Sequence, residues 1–236
     1  MSFVNRGGLI LAASGLLALV APAPAAAQVI AQESAGPRLD VVQGTLGVRT
    51  TLIRSSAFDP FSGTDAMPQL SLSIAHPLLR SGSFVVAAGF GTDYGVSSSE
   101  ARGVASSLSL WRLTAFAEGR YYGRSYAYGF ARLAPGLLRG GATLVDPSSP
   151  NAKNLEDHFD VLAVDPSVGA AVRVSGESSP VGAWVSAEGG YGWAQGHHLM
   201  LAPPASPRDQ SKIAPVDLGN IDPRGAFFRV AFAITY

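Results

Sequence analysis

The chain has 236 residues, with 17 basic and 17 acidic side chains, 27 glycines and no cysteine. The length allows one domain or two. The missing cysteine excludes disulfides, cysteine-bound zinc, thiol catalysis and lipoprotein acylation, and balanced charge without a basic run excludes the electrostatic footprint of a nucleic-acid-binding protein.

Arg6, the apolar stretch Leu9 to Val20 and Ala25-Ala26-Ala27 have the form of a secretory signal peptide over residues 1–27. The stretch is too short for a spanning helix, which needs about 20 apolar residues, and Pro22 and Pro24 interrupt it. Cleavage exposes Gln28, and residues 28–38 read as a flexible lead. Residues 39–236 then form one β-domain.

Within that domain, period-two alternation predicts eight strands. The first, Leu39 to Leu52, sets Val42, Leu46 and Val48 against Gln43, Thr45 and Arg49. A Ser/Asp/Gly/Pro-rich loop, Ile53 to Ala66, leads to the second, Met67 to Ala75, and a turn is expected over His76 to Gly82. The third strand, Ser83 to Tyr94, precedes a polar loop, Gly95 to Gly103. Strand four, Val104 to Tyr122, is longer than the 9 to 11 residues of a tilted membrane crossing, so its first half is expected to project beyond the membrane. Strand five, Tyr126 to Leu138, presents small residues outward, and a bulge that exchanges its faces is one reading of that pattern. A loop, Arg139 to His158, separates it from strand six, Phe159 to Ser175, where Pro166 is expected to mark a bulge or the true start. Strand seven, Val181 to Ala194, and the longest loop, Gln195 to Arg224, lead to the last strand, Gly225 to Tyr236.

In that last strand Phe228, Val230, Phe232, Ile234 and Tyr236 share one face. The segment resembles the closing strand of bacterial outer-membrane β-barrels: Arg229, Ile234 and Tyr236 match the insertion signature, and Ala231 stands where glycine is usual. Connections also alternate long and short, as in small up-and-down outer-membrane barrels. The resemblance to barrels of OmpA/OmpX type implies an all-β, eight-stranded antiparallel transmembrane barrel. It further implies outer-membrane lipid and lipopolysaccharide as surroundings, the barrel-insertion machinery as a partner, and contacts with other envelope proteins. A soluble barrel or sandwich alternates equally well with its apolar face inward. The apolar character of the faces opposite the charges, and aromatics near strand ends (Trp111, Tyr191, Trp193, Tyr236), favour the membrane reading.

Eight strands leave an interior that side chains fill. Arg49, Arg112, Glu118, Arg120, Arg132, Arg173, Glu188 and Arg229 share the polar parity, so they are expected to form a lumen network with Glu118 and Glu188 as the anionic partners. Asp165 shares that parity on strand six. This composes a structural plug, not a catalytic constellation or a wide pore.

No catalytic set, cofactor motif or metal site is predicted. Lipid A deacylase barrels place a serine two residues after a histidine, and none of His76, His158, His197 or His198 is so followed. His197 and His198 with Asp209 or Asp217 lack a diagnostic ligand spacing. The glycine run Gly89 to Gly95 has no following helix to hold a phosphate; its glycines are expected to let aromatic rings fold over the backbone. Function is therefore expected in the extracellular loops, which carry Asp146, Asp157, Asp209, Asp217 and Asp222 against Lys153, Arg208 and Lys212. The expected role is structural or ligand- and partner-binding. A subunit of a transport, secretion or motility assembly, a lipid A-modifying enzyme and a narrow or hydrophobic-solute channel are the alternatives.

Overall fold

The computed structural model describes residues 42–101, 104–145, 154–176, 179, 181–203 and 214–236. The expected signal peptide and lead lie outside them, as do Asp146, Lys153, Arg208, Asp209 and Lys212. The strands are β1 (Gln43–Leu52), β2 (Ala66–Ser81), β3 (Phe84–Ala101), β4 (Val104–Arg124), β5 (Ala127–Val145), β6 (Leu155–Arg173), β7 (Gly182–Ala194), β8 (His197–Leu201), β9 (Val216–Ile221) and β10 (Gly225–Thr235). Among the described residues, β1 to β7 and β10 close into an eight-stranded antiparallel barrel, and β8 and β9 form a separate two-stranded hairpin. This is the expected up-and-down outer-membrane barrel. Closure is the pairing of β1 with β10, from Gln43 opposite Thr235 to Thr51 opposite Phe227.

Several boundaries differ from the expectation. β2 runs through His76 and Pro77 to Ser81, with an irregularity between Pro77 and Leu79, and the turn is only Gly82-Ser83. Gly82 has φ +56°, a conformation that glycine adopts without Cβ strain, so composition flagged the right turn but made it too long. The polar segments Gly95 to Ala101 and Arg139 to Val145 are strand, not loop. Both are poor in large apolar groups, and the sheet extends through them because each is paired residue by residue with β4. β5 keeps one parity, with Ala127, Gly129, Ala131 and Leu133 outward, and no bulge exchanges its faces. Pro166 lies well inside β6: it pairs with Leu133 on β5, while the β7 ladder is interrupted between Val164 and Ser167. A proline nitrogen has no hydrogen to donate, and its outward-facing ring leaves the other edge intact.

The wall changes character along its length. On β4 the outward residues are Leu113, Ala115 and Ala117 below Trp111, and Ser109 and Ser107 above it. The inward residues change the other way, from Arg112 and Glu118 to Leu110 and Leu108. β5 and β6 switch at the paired positions Leu138/Arg139 and Val161/Asp160: Leu137 and Leu162 face outward below, and Arg139 and Asp160 above. From Trp111 to the lower aromatic Tyr121 is ten residues on β4, which at ~3.3 Å per residue and ~40° tilt spans roughly 25 Å, the height of an outer-membrane apolar band. Trp111, Tyr94, Tyr191 and Trp193 mark the upper girdle and Tyr121, Tyr126 and Tyr236 the lower, all exposed.

Above the girdle the outside is polar and the inside apolar, the arrangement of a water-soluble domain. Ile53, Phe58 and Phe61 of the β1–β2 loop, Leu199 and Leu201 of β8, and Ile221 of β9 are fully buried there against Leu108 and Leu138. The loop expected between strand seven and the last strand thus contains β8 and β9 and is part of a cored head at the long-loop end of the barrel.

The inversion of faces yields a paired prediction. Val230→Arg, in mid-band on β10, should destabilise the barrel by about 2–4 kcal/mol, whereas Ser107→Arg, above Trp111, should change it by less than about 0.5 kcal/mol. Urea unfolding from lipid vesicles, followed by tryptophan fluorescence, reads both; equal effects would contradict the assigned boundary.

Candidate functional site

The lumen is layered. Its floor, at the tight-turn end, is an aromatic cluster of Tyr122, Tyr128, Phe130 and Trp184, with Tyr128 and Trp184 edge-on at 5.1 Å. The Trp184 Nε1 donates to Thr235 Oγ1 at 3.2 Å, so the indole N–H is not left unpaired in the apolar layer.

Over this floor lies a chain of charges. Arg112 pairs with Asp165, and Asp165 also accepts from Arg49 at 2.5 Å. Arg49 reaches Asp93 at 3.0 Å, and Asp93 accepts from Arg229 at 3.2 Å. Arg229 continues to Glu188 at 2.9 Å, and Glu188 lies 3.5 Å from Arg132. Arg132 bonds Glu118 at 2.5 Å, and Glu118 accepts from Arg120 at 2.6 Å. Five guanidiniums and four carboxylates therefore alternate without a break, and every carboxylate lies between two cations. Ser167 Oγ donates to the remaining Glu188 oxygen at 2.5 Å, and Arg49 Nε donates to Thr51.

The arrangement follows from the alternation of each strand. Arg49, Arg112, Asp165 and Glu188 come from four different strands, each at an inward position, and closure brings them within reach of one another. Breaking such a set by deleting one partner strands a buried charge, which costs about 3–5 kcal/mol. Aromatic faces complete the packing: Arg49 lies 3.8 Å over the Phe227 ring and Arg132 4.4 Å over Phe116, distances at which a guanidinium is attracted to the ring quadrupole. These rings need glycine opposite. A Cβ at Gly190 would sit 2.7 Å from Phe227, and one at Gly89 would sit 2.6 Å from Phe116, the ring-over-backbone role expected for the glycine run.

The structure brings seven of the eight expected network residues, Arg49, Arg112, Glu118, Arg120, Arg132, Glu188 and Arg229, into this chain. Arg173 is the exception: it ends β6 and donates to Ser175 Oγ and the Ser179 carbonyl. The anionic partners also differ from the expected pair, since Arg49 is neutralised by Asp93 and Asp165 and not by Glu118 or Glu188. Asp93 was hidden inside the glycine run, yet its odd parity against Phe90 and Tyr94 is the signal that points it inward. Of the insertion-signature residues, Ile234 and Tyr236 face outward, while Arg229 serves the lumen. Ala231, at the usual glycine position, faces Gly47 across the β1–β10 seam, so the neighbouring strand supplies the missing space.

In the head, His197 stacks on Phe159 with ring centroids 4.8 Å apart, and its Nε2 lies 3.3 Å from Asp157. The same Asp157 oxygen accepts the Met200 N–H at 3.0 Å, tying β8 to β6. His198 meets Asp217 at 3.2 Å and Asn220 at 3.0 Å. Successive strand residues point to opposite faces, so the two histidines serve different partners, and among the described residues no group of three ligand-type side chains is assembled for a metal. On the outside, Arg139 donates two hydrogen bonds to Asp160, at 2.7 and 3.1 Å, and these hold the Asp160 carboxyl below the ordinary carboxylate range.

Comparison with protein-family models and with curated protein sequences finds no match. Among solved structures, the chain is similar to the outer membrane protease OmpT from Escherichia coli, with 8% identity, a TM-score of 0.49, and coverage of 86% of this chain and 99% of that one. It is also similar to Neisserial surface protein A, at 12% identity and a TM-score of 0.41, covering 83% of this chain and 96% of that one. Ail, the attachment invasion locus protein of Yersinia pestis, shows 11% identity and a TM-score of 0.43, with the same two coverages of 83% and 96%.

Two substitutions test the network. Glu118→Gln leaves Arg120 and Arg132 without their shared anion, and Asp165→Asn does the same for Arg49 and Arg112. Each should lower barrel stability by about 3–5 kcal/mol, read as a lower temperature for conversion of the fast-migrating unboiled form in detergent gels. An unchanged conversion temperature for both would show that the lumen tolerates unpaired guanidiniums.

Proposed function

We propose that this chain is a non-enzymatic outer-membrane protein whose barrel is a closed plug and whose working surface is the extracellular head, presented to a surface ligand or a partner protein. The observation that carries this reading is the inversion of the wall at Trp111 and Arg112. A barrel that served only as an anchor could end at the girdle. Here β3 continues seven residues beyond Tyr94 and β4 begins seven residues before Trp111, and the extension has its own apolar core. That core fixes the loops in place, and binding surfaces on rigid scaffolds lose little ordering entropy when they engage.

The layered lumen supports the absence of transport: aromatic floor, ionic middle and apolar cap succeed one another along the axis. The split histidines and the serine-free spacing after each of them support the absence of lipid A chemistry. In this reading the protein is exported through its signal peptide and folded by the barrel-insertion machinery into a membrane of lipopolysaccharide and phospholipid.

Single cysteines at Ser98, in the head, and at Ser125, in the β4–β5 turn, test the working surface with a short membrane-impermeant or permeant crosslinker in intact cells. Adducts from Ser98 are expected; adducts from Ser125 alone would instead indicate an assembly on the periplasmic side. In planar bilayers the purified barrel should show no steady conductance, and stepwise currents would contradict the plug. Lipid A from a deletion strain should keep its mass spectrum.

A further inference from the structure

The outer wall is not uniform. Below the middle of the apolar band, Ala117 and Gly119 on β4, Ala131 on β5 and Gly189 on β7 leave an open depression of about 720 Å³, bounded by Val168 and Tyr191. Its floor coincides with the place where Pro166 interrupts the β6–β7 ladder. In hydrocarbon such a hollow is filled by whatever restores the missing dispersion contacts. A second barrel fits it poorly, because two convex walls meet along a line and Val168, 65% exposed, stands proud of the floor. A flexible acyl chain fits it well.

One end of the depression has a charge. From Ala131 the outward residues of β5 run through Gly129 and Ala127 to the tight turn, where Arg124 pairs opposite Ala127. Ala131 is four residues from Ala127, about 13 Å along a strand, so the cation lies at the lower interface with a lane of small side chains between it and the hollow. Arg124 is exposed and donates to the Tyr126 hydroxyl at 3.0 Å, and among the described residues it pairs with no carboxylate. We propose that this lane is a phospholipid site: an anionic phospholipid of the turn-side leaflet sets its phosphate against Arg124 and Tyr126 and lays one acyl chain in the hollow. The inference rests on the membrane reading of the wall.

The probe is phosphatidylglycerol against phosphatidylcholine of identical chains, added to the delipidated barrel in detergent and counted as retained lipid by native mass spectrometry. The intact protein should retain one phosphatidylglycerol in preference to phosphatidylcholine. Gly189→Phe fills the hollow, where a Cβ meets nothing nearer than the Phe227 carbonyl oxygen at 4.0 Å, and should weaken retention of both lipids by about tenfold. Arg124→Gln should reduce the preference for phosphatidylglycerol by about fivefold, the effect of one cation near a charged surface, while leaving chain retention. Equal retention in the filled variant, or no lipid preference in the intact protein, overturns the site. The heat-dependent gel shift is followed in every sample: its absence from the intact protein would overturn the membrane reading itself, and its loss only in Gly189→Phe leaves the decision with Arg124→Gln, an exposed turn position.

Discussion

Inside hydrocarbon a peptide N–H has no water to bond, so every backbone group of a spanning strand must find its partner on another strand. The seam between β1 and β10 is where that requirement is met or lost. If the first and last strands did not pair, two edges would face lipid, each with a row of unsatisfied donors and acceptors costing several kcal/mol per group. Gly47 and Ala231 show how closely the seam is built: the glycine lies opposite the alanine, and a Cβ on Gly47 would sit 2.6 Å from the Ala231 methyl, so this pair has room for one small side chain and not two. Everything else, the enclosed lumen, the lipid-facing band and the head above it, presupposes this closure.

Closure with eight strands then dictates the interior. The space is too narrow for bulk water and too polar in sequence to be an oily core, so charges must neutralise one another. Alternation along one chain of nine side chains is the solution: each carboxylate has a guanidinium on either side, and the surplus cation is absorbed by aromatic faces such as that of Phe227. Cross-strand glycines make room for those rings. Glycines and alanines on the outer parity, such as Gly119, Gly189 and Ala117, have the opposite effect and hollow the outer wall.

Above the upper girdle the solvent changes and the pattern reverses with it. Leu108 and Leu110 occupy inward positions of the same strand whose inward positions lower down carry Arg112, Glu118 and Arg120. The strand itself does not change; what surrounds it does. The head is consequently a small soluble core standing on a membrane barrel, capped by Phe58, Phe61, Leu199 and Leu201.

The eight barrel strands, their parity and their antiparallel order were legible in the sequence, because period-two alternation is a local property that needs no partner to be seen. So was the inward direction of Arg49, Arg112, Glu118, Arg120, Arg132, Glu188 and Arg229, which follows from parity once the opposite face is apolar. Strand ends were not: Gly95 to Ala101 and Arg139 to Val145 have loop-like composition and become strand because neighbouring strands supply paired edges, β4 for the first and both β4 and β6 for the second. The β8–β9 hairpin was hidden for the same reason, its strands short and their core contacts distant in the chain. Which carboxylate meets which guanidinium was likewise decided only by the fold. Arg49 and Asp165 are 116 residues apart, and nothing local relates them until the closed register of the barrel brings their side chains into one narrow, water-poor interior.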